Sequence, residues 1–489
     1  PRALDYYLKK EFKYKTNKKL FFYKKKRHNL IQDIIDEYII YGTGNAGLQV
    51  YDRLIKDGKE IYCFVDDNKS HQKKLIYGKK VLSFDQLQRL SSEKTINDII
   101  IAIPSLNLKN MIKLRSKLKF FCNNVSFLPE KKNLLSDYIS LSDIGNDGIS
   151  NFINRKEIII SRKKFKKLDN KTVLVTGAAG SIGSELCRQL LNINIRKVIA
   201  LDNSEILLFN LQNELNNFKK KISFSLTDIN DFFMLDSIIK KHKVDFVFHA
   251  AAYKHVGILE ENILSAIKNN IFGTSTVLEA SVKNNCNFVL ISTDKAVKPT
   301  TILGLTKRIA EILCLKFKKL NPKSNIDTVR FGNVFGSVGS AVPKFIDQLN
   351  KGLPVTITHK NAKRYFITIR EACYLVLQTT ELRKQNNTFV LNMGKSIKIM
   401  DILKKLIIVK KSFNPEINYK ISEIGLQKGE KLEEILTLGR TFKTENSNIF
   451  STKNPNYTIQ NIENLIQNLK KYYESTNDKK ITSLMKNFL

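Results

Sequence analysis

Between Ser292 and Lys307 the chain reads STDKAVKPTTILGLTK, and among its polar side chains Thr293, Asp294, Lys295 and Lys307 are placed to move a proton or hold an anion. A hydroxyl, a carboxyl and an amine in succession supply a hydrogen-bonding group, an acid and a base within a single turn of chain. Lys307 closes a helix turn that in hydride-transfer enzymes usually reads Tyr-x-x-x-Lys, yet four residues earlier stands Leu303. Without a phenol there, proton transfer during a hydride step must fall to other groups, and Thr293, Asp294 and Lys295 stand at the start of the same stretch. An aspartate that donates must carry a proton, and a lysine that accepts must be neutral for part of the cycle; burial favours both.

Such a cluster must be held by rigid elements, and the flanking text provides them. The apolar run NFVLIS puts the Thr-Asp-Lys triplet at the carboxyl end of a strand, where ligands bind in open α/β sheets. Upstream, KTVLVTGAAGSIGSEL sets Gly177, Gly180 and Gly183 in TGxxGxxG spacing, between a buried strand at Val173 to Val175 and a helix. Gly177 permits the tight turn, Gly180 lets the backbone approach a pyrophosphate, and Gly183 lets the helix pack on the strand. The phosphates would meet the N–H groups at the positive helix end, around Ser181 and Ile182. A second strand, KVIALD, ends at Asp202, nineteen residues after Gly183. A carboxylate there accepts ribose hydroxyls and repels a 2′-phosphate, so NAD is expected over NADP. Asp228 and Ile229 in SLTDIND are placed toward the adenine edge, although an Asp at a strand end also suits a helix cap. Ala250, Ala251 and Ala252, closing the strand VDFVFHAAA, are small enough for a cofactor ribose to pass beside the backbone.

A second, smaller unit of this type comes earlier. YIIYGTGNAG carries Gly42, Gly44 and Gly47, followed by a helical stretch to about Lys56, the strand IYCFVDD ending in Asp66 and Asp67, and a buried strand DIIIAIP at 98–104. Glycine spacing alone is a weak signal, so this unit either binds a nucleotide or keeps only the fold. The predicted fold class is therefore α/β: a doubly wound parallel sheet preceded by a smaller Rossmann-like domain. The predicted organisation is a basic segment at 1–36, the small domain at 37–130, a linker at 131–170, an NAD-binding catalytic domain at 171–440 and a helical tail at 441–489, with an amphipathic run near Ile459 to Tyr473. A chain of 489 residues has room for two or three cores, because single cores seldom grow past about 250–300 residues.

Composition narrows the partners. The net charge is +36, from 82 Lys and Arg against 46 Asp and Glu, but lysine is abundant throughout, which reads as compositional bias more than as a patch. No helix-turn-helix, zinc-finger or RNP-type signature is present, so nucleic acid is not an expected partner. Six scattered cysteines without CxxC or Cys/His spacing predict a reducing compartment and no metal site. No run of about 18 apolar residues spans a membrane, and no signal peptide precedes the domains. Lys18, Lys19, Lys24, Lys25, Lys26 and Arg27, interleaved with Leu20, Phe21, Phe22 and Tyr23, suit either a membrane surface or a solvated basic helix. Were transmembrane helices to precede Pro1, the positive-inside rule would put this segment on the cytoplasmic side.

The chain resembles the extended short-chain dehydrogenase/reductase superfamily, and within it the nucleotide-sugar 4,6-dehydratases of capsule and glycan synthesis. The resemblance is carried by TGAAGSIGSEL, HAAAYKHV (249–256), NNIFGT (269–274), STDKAVKPTTILGLTKR, RFGNVFGSVGSAVPKF (330–345), RYFITIREA (364–372) and GEKLEE (429–434), together roughly residues 130–440. The N-terminal α/β domain looks like the one that precedes the catalytic domain in the long, membrane-anchored members, where an apolar residue replaces the usual tyrosine. The resemblance implies a UDP-N-acetylglucosamine 4,6-dehydratase that retains configuration at C5, uses NAD, forms a homo-oligomer and works at the cytoplasmic face of the inner membrane. It also implies residue roles: Lys295 as the C5 base and Asp294 as the acid at C6, with exchange of these two left open, Lys307 on the nicotinamide ribose, and Thr293 on the C4 hydroxyl. Lys254 and Asn333 become sugar or phosphate contacts. Arg364 becomes a bidentate clamp on the diphosphate, with a surface or interface charge as the alternative for each. The sequence departs from the pattern at Gly257, where the family has proline after KHV, and at Gln427-Lys428, where it has Arg-Pro before GEKL. Two rivals stand beside this reading: a nucleotide-sugar C4 epimerase or oxidoreductase, which ordinarily needs the missing tyrosine, and a non-catalytic nucleotide-binding scaffold.

Overall fold

Nine strands form the sheet that carries the Thr-Asp-Lys triplet. In the computed structural model their order is Ile222–Leu226, Lys197–Asp202, Thr172–Thr176, Phe246–His249, Asn287–Thr293, Ile326–Phe331, Thr388–Leu391, Ile449–Thr452 and Thr441–Lys443. The first seven run parallel. The last two are antiparallel additions. The order of connection reverses between Thr172–Thr176 and Phe246–His249, the switch point beside which open α/β sheets bind ligands. The structure describes residues 34–127 apart from several positions between 57 and 119, then Phe152, Ile153, Arg155, and residues 165–489 apart from 383–387, 414–417 and 454–456. The basic segment at 18–27 lies outside the described residues. Among those described, no helix is long and apolar enough to cross a membrane.

The chain divides into two compact units, Pro1–Ser136 and Asp137–Leu489. In the second, both faces of the sheet are covered, which is why Thr172–Thr176 reads as a continuous apolar run and is buried throughout. Helices Ser181–Leu191 and Ile369–Thr379 pack on one face, with Leu186, Leu190, Ala372 and Leu375 in the core. The other face takes helices Phe232–His242, Thr274–Lys283 and Ile302–Leu320. Residues Ile302 to Leu315 are all buried, because a C-terminal helix pair, Ile459–Glu474 and Asp478–Phe488, packs over the same helix with Ile462, Leu465, Leu469, Ile481 and Met485.

Two stretches differ from the sequence expectation. Residues 441–452, expected to open a helical tail, supply the last two strands, and the tail helices start at Ile459. Strands of three and four residues carry too little alternation to be read from sequence. Inside the presumed linker, Phe152 and Ile153 are buried and Arg155 grips both oxygens of Glu371 at 2.6 and 2.7 Å.

The first unit repeats the plan at smaller scale, with parallel strands Thr95–Ile101, Tyr38–Tyr41 and Ile61–Val65 at its centre. In both units the acid ending the second strand holds the glycine turn. Asp66 Oδ2 accepts the Thr43 N–H at 2.9 Å, and Asp202 Oδ2 accepts the Ala179 N–H at 2.9 Å. The third glycine of each loop has no room for a side chain. A Cβ on Gly47 would lie 1.9 Å from the Gly42 carbonyl oxygen, and one on Gly183 would lie 2.0 Å from that of Gly177. A Cβ on Gly44 would meet nothing within 4 Å. Gly183→Ala should therefore cost at least about 1–3 kcal/mol in urea denaturation, whereas Gly44→Ala should stay within about 0.5 kcal/mol. Equal losses would show that close packing is not what these positions demand.

Candidate active site

The strand Asn287–Thr293 leads straight into a 3-10 turn, Asp294–Ala296, so the triplet is presented where regular pairing stops. Thr293 caps that turn by accepting the Lys295 N–H at 3.4 Å and donates its own hydroxyl to Asp294 Oδ1 at 2.9 Å. Lys295 Nζ donates to the same oxygen at 3.1 Å and to Asn333 Oδ1 at 3.2 Å. Four of the expected site residues are thus one hydrogen-bonded chain. Asp294 is 0% exposed, and its second oxygen, Oδ2, has no protein partner. A buried carboxyl oxygen left this way costs about 1–3 kcal/mol, and is satisfied by carrying a proton or by meeting a ligand hydroxyl.

The helix Ile302–Leu320 packs against this turn at close range. A Cβ on Gly304 would come within 2.5 Å of the Lys295 carbonyl oxygen, so only glycine lets the helix approach. Lys307 is buried and donates from Nζ to the Ile291 carbonyl at 2.6 Å. Burial lowers its pKa to about 8, with Glu311 pulling the other way. Leu303, where a tyrosine would otherwise stand, is buried in the apolar core and offers no proton. Asn270, buried within the π-helical turn Lys268–Gly273, joins the Tyr253 backbone to Thr306 beside Lys307. Such a turn shifts the helical register, which sequence periodicity does not reveal.

On the cofactor side, Gly177 has φ +64°, and a Cβ there would meet the Ala251 backbone at 2.6 Å. Gly180 is the N-cap of Ser181–Leu191 and provides no side-chain cap, leaving the helix start open to an anion. Ser181 Oγ accepts the Val338 N–H at 3.3 Å, and Ile182 lies partly buried against the core. Asp202 is nearly buried; its Oδ1 takes the Ser204 N–H at 3.0 Å, and each oxygen keeps a lone pair for a ribose hydroxyl. Asp228 is exposed and forms a local turn by accepting the Asn230 N–H at 2.9 Å, while the helix cap is Asp231. Ile229 is buried beside Gly273, and Ala250, Ala251 and Ala252 are half-buried at the switch point. An open glycine at an uncapped helix start, faced by a strand-end carboxylate and small residues, fits a dinucleotide.

The substrate side is less open. Lys254 is exposed, and the protein around its stem lowers its pKa by desolvation. Arg364 is buried, with its guanidinium bonded to Glu430 Oε1 at 2.6 Å and to the carbonyls of Lys363 and Leu432 at 2.8 and 3.1 Å. Glu430, for which the sequence suggested no role, also accepts from Thr358 Oγ1 and the Gln427 N–H. Its segment is fastened to the chain just after the Asp294–Ala296 turn by Thr300 Oγ1 donating to the Gly429 carbonyl at 2.7 Å and Lys431 Nζ donating to the Val297 carbonyl at 2.9 Å. The two departures from the family pattern face each other here: a Cβ on Gly257 would lie 3.8 Å from Gln427 Oε1.

Residues 173–455 match the family described as polysaccharide biosynthesis protein. The chain belongs to that family. It is 37% identical over 407 residues to the probable polysaccharide biosynthesis protein EpsC of Bacillus subtilis, covering 81% of this chain and 68% of that one. It is 35% identical over 408 residues to the capsular polysaccharide biosynthesis protein CapD of Staphylococcus aureus, with the same coverage. Among solved structures, Pen from Bacillus thuringiensis is 29% identical and covers 62% of this chain and 98% of its own, with a TM-score of 0.55. The polysaccharide biosynthesis family thus brings the extended short-chain dehydrogenase/reductase fold to this chain.

One buried group at the switch point titrates. His249 is 0% exposed, bonded through Nδ1 to Thr176 Oγ1 at 2.7 Å and through Nε2 to Thr274 Oγ1 at 3.0 Å. Burial, helped by Lys307, lowers its pKa to about 3. The unfolded chain, with histidine near 6.5, binds this proton first. Stability should accordingly fall by up to about 1.4 kcal/mol per unit as pH drops from about 6.5 towards 3. His249→Asn should flatten that slope in denaturant titrations, and an unchanged slope would show that His249 is not the group responsible.

Proposed function

We propose that this protein is an NAD-dependent nucleotide-sugar 4,6-dehydratase that converts UDP-N-acetylglucosamine to the 4-keto-6-deoxy sugar with retention at C5. The observation that carries the proposal is the buried Asp294 carboxyl, bonded on one oxygen to Thr293 and Lys295 and unpartnered on the other. Relatives named for polysaccharide and capsular polysaccharide biosynthesis support a substrate among activated sugars.

Dehydration across C5 and C6 needs an acidified C5 proton and a protonated leaving group. Bound NAD supplies the first by taking a hydride from C4 and later returning it at C6. Thr293 holds the C4 hydroxyl and passes its proton toward Asp294 or a water. Lys295, aimed by Asn333, removes the proton alpha to the C4 ketone, Asp294 protonates the departing C6 hydroxyl from Oδ2 so that it leaves as water, and Lys295 returns a proton to C5 when C6 regains the hydride. Lys307 holds the nicotinamide ribose and keeps positive potential beside C4. Asn333 and Lys254 line the sugar and phosphate side, and Arg364 lies toward the diphosphate with Glu430 as its partner. Gly177, Gly180, Ser181, Ile182, Gly183, Asp202, Asp228, Ile229 and Ala250 to Ala252 make the dinucleotide site. An epimerase would need a phenol where Leu303 is buried.

Turnover in deuterated water, followed by NMR, should yield a 4-keto-6-deoxy sugar labelled at C5 with its configuration retained. An epimerised, unlabelled product would sink the proposal, and no turnover across several UDP-sugars would favour a scaffold. Lys295→Ala should lower kcat by about 10²–10⁴-fold and abolish C5 exchange while NAD stays bound. Asp294→Asn should block loss of the C6 hydroxyl yet keep some exchange at C5. The opposite pattern would exchange the two roles.

A further inference from the structure

Glu311 stands one helical turn beyond Lys307, 2% exposed, and accepts four hydrogen bonds. Ser292 Oγ donates at 2.7 Å, Arg330 donates from Nε and Nη2 at 2.6 Å each, and Arg308 Nη1 donates at 2.8 Å. These donors come from three elements: the strand that ends at Thr293, its neighbour Ile326–Phe331, and the helix of Lys307 itself. Ser292 directly precedes Thr293, and Lys307 ties the same helix to Ile291, one residue further back. We propose that Glu311 is a positioning residue of the active site, which fixes the strand end presenting Thr293, Asp294 and Lys295 against the Lys307 helix and keeps an anion one helical turn from Lys307. The assignment rests on the dehydratase reading for what those groups do.

A purely structural fastening would not need a charge, since taking ions out of water is costly and an apolar contact can pack as well. The surroundings of Lys307 show what the charge supplies. His249, from strand Phe246–His249, is held neutral by burial, its pKa near 3. Cys314, on the same helix, is pushed up to about 12 by burial and is also neutral. Arg308 and Arg330 are cations, each paired with Glu311. Burial of Glu311 alone would raise its pKa, but Arg330, Arg308 and Ser292 hold it well below the usual carboxylate range. It therefore remains an anion at every working pH and offsets the desolvation of Lys307.

The test compares wild type, Glu311→Gln and Ser292→Ala as full chains with NAD and UDP-N-acetylglucosamine. Glu311→Gln should lower kcat by up to about 10²-fold with KM little changed. It should also move the basic limb of the pH–rate profile down by about one unit, because Lys307 without its anion loses its proton at lower pH. Ser292→Ala, which keeps the ion pairs, should lower kcat without moving that limb. A folded Glu311→Gln with wild-type kcat and limb, or a loss wholly in KM, overturns the proposal. If Glu311→Gln does not fold, an unchanged kcat in Ser292→Ala overturns it. NMR titration of the labelled lysine ammonium reads the shift directly, whether or not the sugar is turned over. Absence of product from wild type would count against the reaction, and absence of the shift against Glu311.

Discussion

The carboxyl of Asp294 is held wholly out of water, and much of the site follows from how its two oxygens are treated. Oδ1 is shared by Thr293 and Lys295, which makes those side chains a fixed array instead of three independent groups. Oδ2 is left over. Holding the group there requires a strand that stops at Thr293, a tight turn after it, and a helix that comes within reach because residue 304 is glycine. The segment at 427–434 is fastened to the chain just after that turn through Thr300 and Val297.

Leu303 acquires its meaning from this geometry. Its side chain belongs to the apolar core under the helix pair at the C-terminus, so the position that would carry a phenol is committed to packing. Lys307, without that partner, stays buried and bonded to the strand at the Ile291 carbonyl. The groups able to exchange protons stand instead at the strand end, where a hydroxyl, a carboxyl, an amine and an amide form one hydrogen-bonded chain.

What could be read from the sequence was whatever short-range geometry dictates. The glycine spacings at 177, 180 and 183, the strand-end Asp202 and the triplet after NFVLIS are local patterns, and the parallel sheet follows from the alternation of strands and helices. What escaped depended on partners far along the chain. Glu311 lies four residues after Lys307 on the same helix face, a visible spacing, but its meaning comes from Ser292 and Arg330 on two strands. Arg364 read as an arginine free for a diphosphate, and nothing nearby announced Glu430, sixty-six residues on. Asp228 read as an adenine contact or cap, but it closes a local turn onto Asn230, and the cap falls to Asp231 because the helix begins only at Phe232.

The account stands on Asp294 Oδ2 meeting the C6 hydroxyl. A crystal structure of the chain with NAD and UDP-N-acetylglucosamine measures that distance. It should place the sugar C6 oxygen within about 2.5–3.0 Å of Oδ2, with Lys295 Nζ facing C5. A sugar whose C6 oxygen lies elsewhere, with Oδ2 still unpartnered or bonded only to protein, would contradict the account.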